Sequence, residues 1–158
     1  MSKLLSEIEE SKQVQVKERA STHVAEIMTR DVIATAPDHS VQEAITLIAR
    51  HRFRHLLVLT GDRHLAGVIS DRDLLRFMIR EPSWGTAAVA EVMKTDPITV
   101  SPDTPLSTAT AEMIARRINC LPVVDADRQV VGILTSTDLL RTLHKIQAWV
   151  EQEDSVDL

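Results

Sequence analysis

Apolar positions along this chain follow two rhythms. Short runs in which nearly every residue is apolar occur at 56–59 (Leu-Leu-Val-Leu), 65–69 (Leu-Ala-Gly-Val-Ile), 121–124 (Leu-Pro-Val-Val) and 130–134 (Val-Val-Gly-Ile-Leu). Their length and their lack of polar alternation read as buried strands. Elsewhere apolar residues fall three or four apart: Val41, Ala44, Ile45, Ile48; Leu74, Leu75, Met78; Leu106, Ala109, Met113, Ile114; and Leu139, Leu140, Leu143, Ile146, Trp149. That spacing predicts amphipathic helices. Ser40 and the Ser107-Thr108 pair are the expected starts of two of them, and the last helix is expected to run to about Val150. Short extended pieces at 33–35 and 98–100 each precede a Pro-Asp turn, and further turns fall at 60–62 and 125–127.

The pattern occurs twice. Val24-Ala25-Glu26-Ile27-Met28 returns as Val89-Ala90-Glu91-Val92-Met93, Pro37-Asp38 as Pro102-Asp103, Gly67 as Gly132 and Asp73 as Asp138. The offset is 65 residues each time (from 24 to 89, from 73 to 138). A constant offset means a duplicated unit without net insertion. Each unit reads β-α-β-β-α. One such unit leaves a sheet face bare, and two cover each other, so a single pseudo-symmetric α+β domain is expected. The expected divisions are an N-terminal extension at 1–21, a first unit at 22–80, a linker at 81–86, a second unit at 87–147 and an acidic tail at 148–158. Leu4, Leu5 and Ile8 fit one helical face, which suits either a docked helix or a frayed extension. Trp84, in the 81–86 linker with its breakers Pro82 and Gly85, is expected to pack over the joint.

The stretch that carries chemistry is the junction after each second core strand. Gly67-Val68-Ile69-Ser70-Asp71-Arg72-Asp73 is matched by Gly132-Ile133-Leu134-Thr135-Ser136-Thr137-Asp138. A hydroxyl there, with an Asp three residues on, is a capping box. The same place offers free N–H groups and the positive end of a helix dipole to a phosphate. Sequence alone leaves both readings open.

Composition narrows the classes. Of 158 residues, 44% are hydrophobic, 26% charged and 3% aromatic, with no Tyr. This is a globular composition whose core must be aliphatic. The net charge of −5 argues against a general nucleic-acid binder. The single Cys120 forms no internal disulfide, which suits a reducing compartment. No apolar run approaches membrane-spanning length, and Met1 to Ala20 lack the apolar core of a signal peptide, so the cytoplasm is the expected location. No P-loop, H-E-x-x-H or G-x-S-x-G motif is present, so an enzyme is not expected. His51 and His55 are spaced i,i+4 without a third ligand nearby, which is a weak metal signal, so none is expected.

The repeats resemble a known family. Val92-Met93, Ile98-Thr99-Val100-Ser101-Pro102, Leu121-Pro122-Val123-Val124-Asp125, Val131-Gly132-Ile133-Leu134-Thr135 and Asp138-Leu139 match the pattern of the CBS domain, named after cystathionine β-synthase. The first copy departs from it at Leu57 and Thr60. A tandem pair of such domains is called a Bateman module. The resemblance implies two units packed sheet to sheet with two clefts, a homodimer, and a regulatory ligand: AMP, ADP, ATP or S-adenosylmethionine. It also implies a regulated protein partner that the sequence does not identify.

By that resemblance, Asp73 and Asp138 bind ribose hydroxyls, which a carboxylate can accept in pairs. Ser70, Arg72, Thr135 and Thr137 are implied phosphate or ribose contacts. Adenine is implied to lie against Ile33-Ala34 and Ile98-Thr99, and near Arg54-His55 and Asn119-Cys120. The basic pair faces a neutral pair at the matching position, so the two clefts are expected to be unequal, one preferring a more highly charged nucleotide. The competing reading is a ligand-free dimerisation or adaptor module acting through protein contacts.

Overall fold

A computed structural model describes residues 22–153, so the expected N-terminal helix lies outside the described residues. The first repeat contains α1 (Val24–Ile27), β1 (Ala34–Thr35), α2 (Val41–His51), β2 (His55–Leu59), β3 (Leu65–Ser70) and α3 (Asp71–Arg80). The second has a 3₁₀ turn (Val89–Glu91) where the first has α1. It continues with α4 (Leu106–Arg116), β4 (Cys120–Val124), β5 (Val130–Thr135) and α5 (Ser136–Glu153). The α5 helix therefore runs a few residues past its expected end.

In the first repeat β1 pairs parallel with β2, and β2 antiparallel with β3. In the second, β4 and β5 form the matching antiparallel pair. The expected strand at 98–100 shrinks to one parallel bridge, Val100 to Val123. Proline explains the loss. Pro122 stands where Leu57 stands, and without an N–H it cannot repeat the pairing Leu57 makes with Ala34. Ser40 caps α2 as expected, its Oγ accepting from the Glu43 N–H at 3.2 Å. Ser107 and Thr108 do not cap α4. Its N-cap is Pro105, and the Leu106 N–H is instead taken by the Thr22 carbonyl of the other repeat at 2.8 Å.

That contact belongs to a reciprocal exchange. The segment leading into each repeat leaves its own unit and pairs with the other. Thr29 and Ile133 exchange both backbone hydrogen bonds, each at 2.9 Å. The residues 65 positions away do the same: Val68 donates to Lys94 at 3.0 Å and Lys94 to Val68 at 2.9 Å. Likewise Val24 donates to the Thr104 carbonyl at 3.0 Å and Val89 to that of His39 at 2.8 Å. His64 and Gln129, themselves 65 apart, bridge each other across the pseudo-twofold axis.

Packing follows the same rule. The core of the first repeat, around Val41, Ala44, Leu56, Val58, Ile69 and Leu74, is completed by Val89 of the second. The core of the second, around Ala109, Met113, Leu121, Val123 and Leu134, is completed by Val24 and Met28 of the first. Leu57, Val68, Cys120 and Val130 form a third cluster between the two sheets. Leu56, Leu57 and Val58 are all fully buried because β2 has a core on both faces, which is why it does not alternate. Trp84 packs on the first core, as expected of the joint.

The crossing segments need glycine beneath them. A Cβ on Gly67 would come within 2.6 Å of the Lys94 carbonyl oxygen and 3.0 Å of the Met93 sulfur. On Gly132 the nearest atom would be the Met28 sulfur at 2.6 Å, with the Thr29 carbonyl oxygen at 3.1 Å. A thioether can move aside; a backbone carbonyl held in a hydrogen-bonded bridge cannot without breaking the bridge. Gly67→Ala is therefore expected to destabilise by roughly 1–3 kcal/mol, as overpacking does. Gly132→Ala is expected to cost less. Urea unfolding of both variants checks the order, and equal losses would contradict it.

Candidate functional site

Each strand-to-helix junction folds as a capping box. Ser70 is extended, and its Oγ accepts from the Asp73 N–H at 3.1 Å. Oδ2 of Asp73 accepts from the Ser70 N–H at 3.2 Å and from its hydroxyl. Thr135 and Asp138 repeat the motif, with the Thr135 N–H on Asp138 Oδ2 at 2.8 Å and its hydroxyl at 2.6 Å. The capping reading is thus correct in both copies, and it uses up only one oxygen of each carboxylate.

The other oxygen looks across to the opposite repeat. Asp73 Oδ1 meets Lys94 Nζ at 3.1 Å. Asp138 Oδ1 accepts from the Thr29 hydroxyl at 3.2 Å, with Arg141 Nη1 at 3.9 Å. Each aspartate therefore stands at the seam between repeats, and each lines a cleft made from both. The first cleft, of about 360 Å³, is bounded by Ser70, Arg72 and Asp73 of one repeat and by Lys94, Ile98 and Asn119 of the other. The second, of about 440 Å³, is bounded by Thr135, Thr137 and Asp138 and by Thr29, Ile33 and His55. Both lie in the range of small-ligand sites, which runs from about 300 to 1,000 Å³.

Most residues singled out from sequence meet in these clefts. Arg54, His55 and Asn119 line both, and Cys120 lines the first. Ala34 and Thr99 are not among the lining residues. Neighbouring side chains on an extended segment point to opposite faces. Ile33 lines a cleft, while Ala34 packs on the cluster between the sheets. Thr99 is exposed. Sequence reasoning missed Lys94, Thr29, Arg76, Arg117, Arg52 and Arg141. The contrast between Met28-Thr29 and Met93-Lys94 was visible, but its position against Asp138 and Asp73 depends on the exchange between repeats.

Electrostatics differ around these groups. Burial works to raise the Asp73 pKa, but the Ser70 hydroxyl bond and the Lys94 ammonium outweigh it and hold the carboxyl below its usual range. Burial lowers the pKa of His55, opposed by the nearby Asp71 carboxylate. Burial pushes the Cys120 thiol up to about 12, so it stays protonated and is not poised as a nucleophile. Arg52 and Arg117 end α2 and α4 in left-handed conformations, φ 56° and 53°, which deliver the chain to β2 and β4 and place each arginine on a cleft. Among the described residues, no group of three or more His, Cys, Asp or Glu side chains is arranged to hold a metal ion. No helix among them is long and apolar enough to cross a membrane.

Comparison with known proteins decides the family. The CBS domain model matches twice, over residues 24–80 and 89–145. The chain belongs to the CBS domain family. Its two CBS repeats form a pair like those of solved Bateman modules. The CBS domain pair of protein MJ0100, solved with 5′-methylthioadenosine and S-adenosyl-L-methionine, superposes with a TM-score of 0.71 at 29% identity, over 77% of this chain and 99% of that one. CBSX2 of Arabidopsis thaliana, solved with AMP, gives 0.72 at 30% identity, over 79% and 98%. Arabinose 5-phosphate isomerase KpsF of Escherichia coli is 33% identical over 120 residues, 76% of this chain and 37% of that enzyme. The chain spans about a quarter to a little over a third of the length of the first curated enzymes it matches.

The lowered His55 pKa gives a pH test. The unfolded chain takes up the proton near the ordinary value of about 6.5, before the folded CBS pair does. Stability is therefore expected to fall as pH drops through 6.5 towards the folded value. His55→Gln removes this component, so the loss between about pH 7.5 and about pH 5 is expected to be smaller in the variant than in the parent. Urea unfolding at both pH values reads the difference, and identical losses would contradict it.

Proposed function

We propose that this CBS pair is a regulatory module that binds an adenosine compound in the clefts at Asp73 and Asp138 and signals its presence to a partner protein. The observation that supports this best is the division of labour within each aspartate. One carboxylate oxygen is fixed in the capping box, and the other faces a cleft of ligand size built from both repeats. A ribose diol can donate to that second oxygen. Arg72 stands beside the Asp73 oxygen for a phosphate. The ligands of the similar pairs, AMP, S-adenosylmethionine and 5′-methylthioadenosine, share the adenosine moiety. A ligand bridging two repeats changes how they sit on each other, which is a means of signalling without catalysis.

The module pairs with a second copy through its exposed helical faces. Leu75 and Ile79 on α3, and Leu140 and Leu143 on α5, are exposed apolar side chains, and Leu75 and Leu140 are equivalent by the 65-residue repeat. Exposed apolar side chains of this kind suit burial against a second copy. The same face is the observation that favours an adaptor role.

Thermal unfolding with AMP, ADP, ATP and S-adenosylmethionine tests the ligand reading. A compound that binds only the folded state, at 100 times its Kd, is expected to add about 2.7 kcal/mol. Asp73→Ala and Asp138→Ala each lose a helix cap as well, so the ligand-induced shift is compared, not the absolute Tm. Each variant is expected to lose the shift from its own cleft. No shift with any of the four would overturn the reading in favour of the adaptor. Light scattering tests the pairing: the parent is expected at twice 17.6 kDa, and Leu140→Glu at 17.6 kDa. A parent of single-chain mass would overturn it.

A further inference from the structure

We infer that Lys94 makes the cleft at Asp73 the polyanion-selective one of the two, suited to an adenosine polyphosphate, while the cleft at Asp138 takes an adenosine compound of little or no charge. The inference rests on the reading of both clefts as adenosine sites.

Lys94 and Thr29 are equivalent positions, 65 residues apart, and both reach Oδ1 of the opposite repeat's capping aspartate. The capping boxes themselves match, so this pair is the direct difference at the carboxylate oxygen that faces the cleft. Thr29 bonds Asp138 without charge, and the nearest cation to that oxygen is Arg141 at 3.9 Å, against 3.1 Å for Lys94 on Asp73. Lys94 neutralises Asp73. A ribose hydroxyl that takes the place on Asp73 Oδ1 held by Lys94 displaces the ammonium. Lys94 is about two-thirds exposed, so its stem is free to swing. A phosphorylated ligand supplies the displaced ammonium with a new anionic partner; a neutral ligand supplies none. The lysine therefore penalises neutral adenosine compounds and favours charged ones in this cleft.

The surroundings point the same way. In the first cleft Arg72, Arg76 and Arg117 form no ion pair among the described residues, and Arg54 is held by Asp71 at 3.5 Å. The equivalents in the second cleft are Thr137, Arg141 and Arg52, and Arg141 lies 3.9 Å from Asp138. Three uncommitted guanidiniums against one is the pattern expected of a site for several phosphates against a site for at most one.

The test is calorimetric titration of the parent and of Lys94→Gln and Thr29→Lys with metal-free ATP and, separately, with 5′-methylthioadenosine. Asp73→Asn and Asp138→Asn assign each event to a cleft. In the parent, ATP is expected to bind more tightly at the Asp73 cleft and 5′-methylthioadenosine at the Asp138 cleft. Lys94→Gln is expected to weaken ATP by about tenfold, the loss of one charge-assisted contact, and to strengthen 5′-methylthioadenosine at the same cleft. Thr29→Lys is expected to shift the second cleft towards ATP. Circular dichroism confirms that each variant is folded. If both compounds bind the parent but the Lys94→Gln preference is unchanged, or ATP is lost in Asp138→Asn and kept in Asp73→Asn, the inference fails while the adenosine reading stands. If neither compound binds the parent, the inference fails, and the four-ligand unfolding test decides the adenosine reading separately.

Discussion

The exchange of backbone hydrogen bonds between the repeats is the constraint on which the rest of the structure depends. Thr29 is held by Ile133 and Lys94 by Val68, so neither repeat closes its own sheet edge or fills its own core. An unpaired buried N–H or C=O costs as much as a lost hydrogen bond. The bridges therefore act together with Val24, Met28 and Val89, the apolar residues that the crossing segments carry into the opposite cores. Gly67 and Gly132 follow from this, because a strand edge crossed at such close range has no room for a side chain.

The clefts are by-products of the same exchange. Once each entry segment crosses over, the polar residue after its methionine is set against the capping aspartate of the other repeat, and the space between becomes a cavity with two-repeat walls. Under the proposed function, capping and ligand binding do not compete for the aspartate. Its two oxygens point in different directions, one into its own helix start and one into the cleft. The rigidity of the capping box holds the second oxygen ready, and a pre-positioned acceptor loses little entropy when a ligand arrives.

Much of this was legible in the chain. The 65-residue offset gave the duplication, the buried runs gave the strands, and the hydroxyl-to-Asp spacing located the junctions. What was not legible depended on groups distant in sequence. Periodicity placed the start of α4 at Ser107 or Thr108, but the carbonyl of Thr22 supplies that cap. A short extended piece at 98–100 had the composition of a strand, and Pro122 on its neighbour limits it to one bridge. Lys94 was an unremarked letter after a methionine until the fold set its ammonium on Asp73. Ala34 and Thr99 shared a motif with cleft residues, but side-chain alternation turned them elsewhere.

Arg52 and Arg117 carry a consequence of a different kind. Both end their helices with positive φ, where glycine is the residue that backbone energetics favours and an L side chain costs roughly 1 kcal/mol. Two glycines there would make a sturdier protein, yet both positions keep a long cationic side chain on the wall of a cleft. If the clefts bind ligand as proposed, selection for thermal robustness and selection for recognition pull in opposite directions at these two positions. A screen that rewards heat tolerance alone would drift towards glycine at 52 and 117, and would yield a more durable scaffold with emptied clefts.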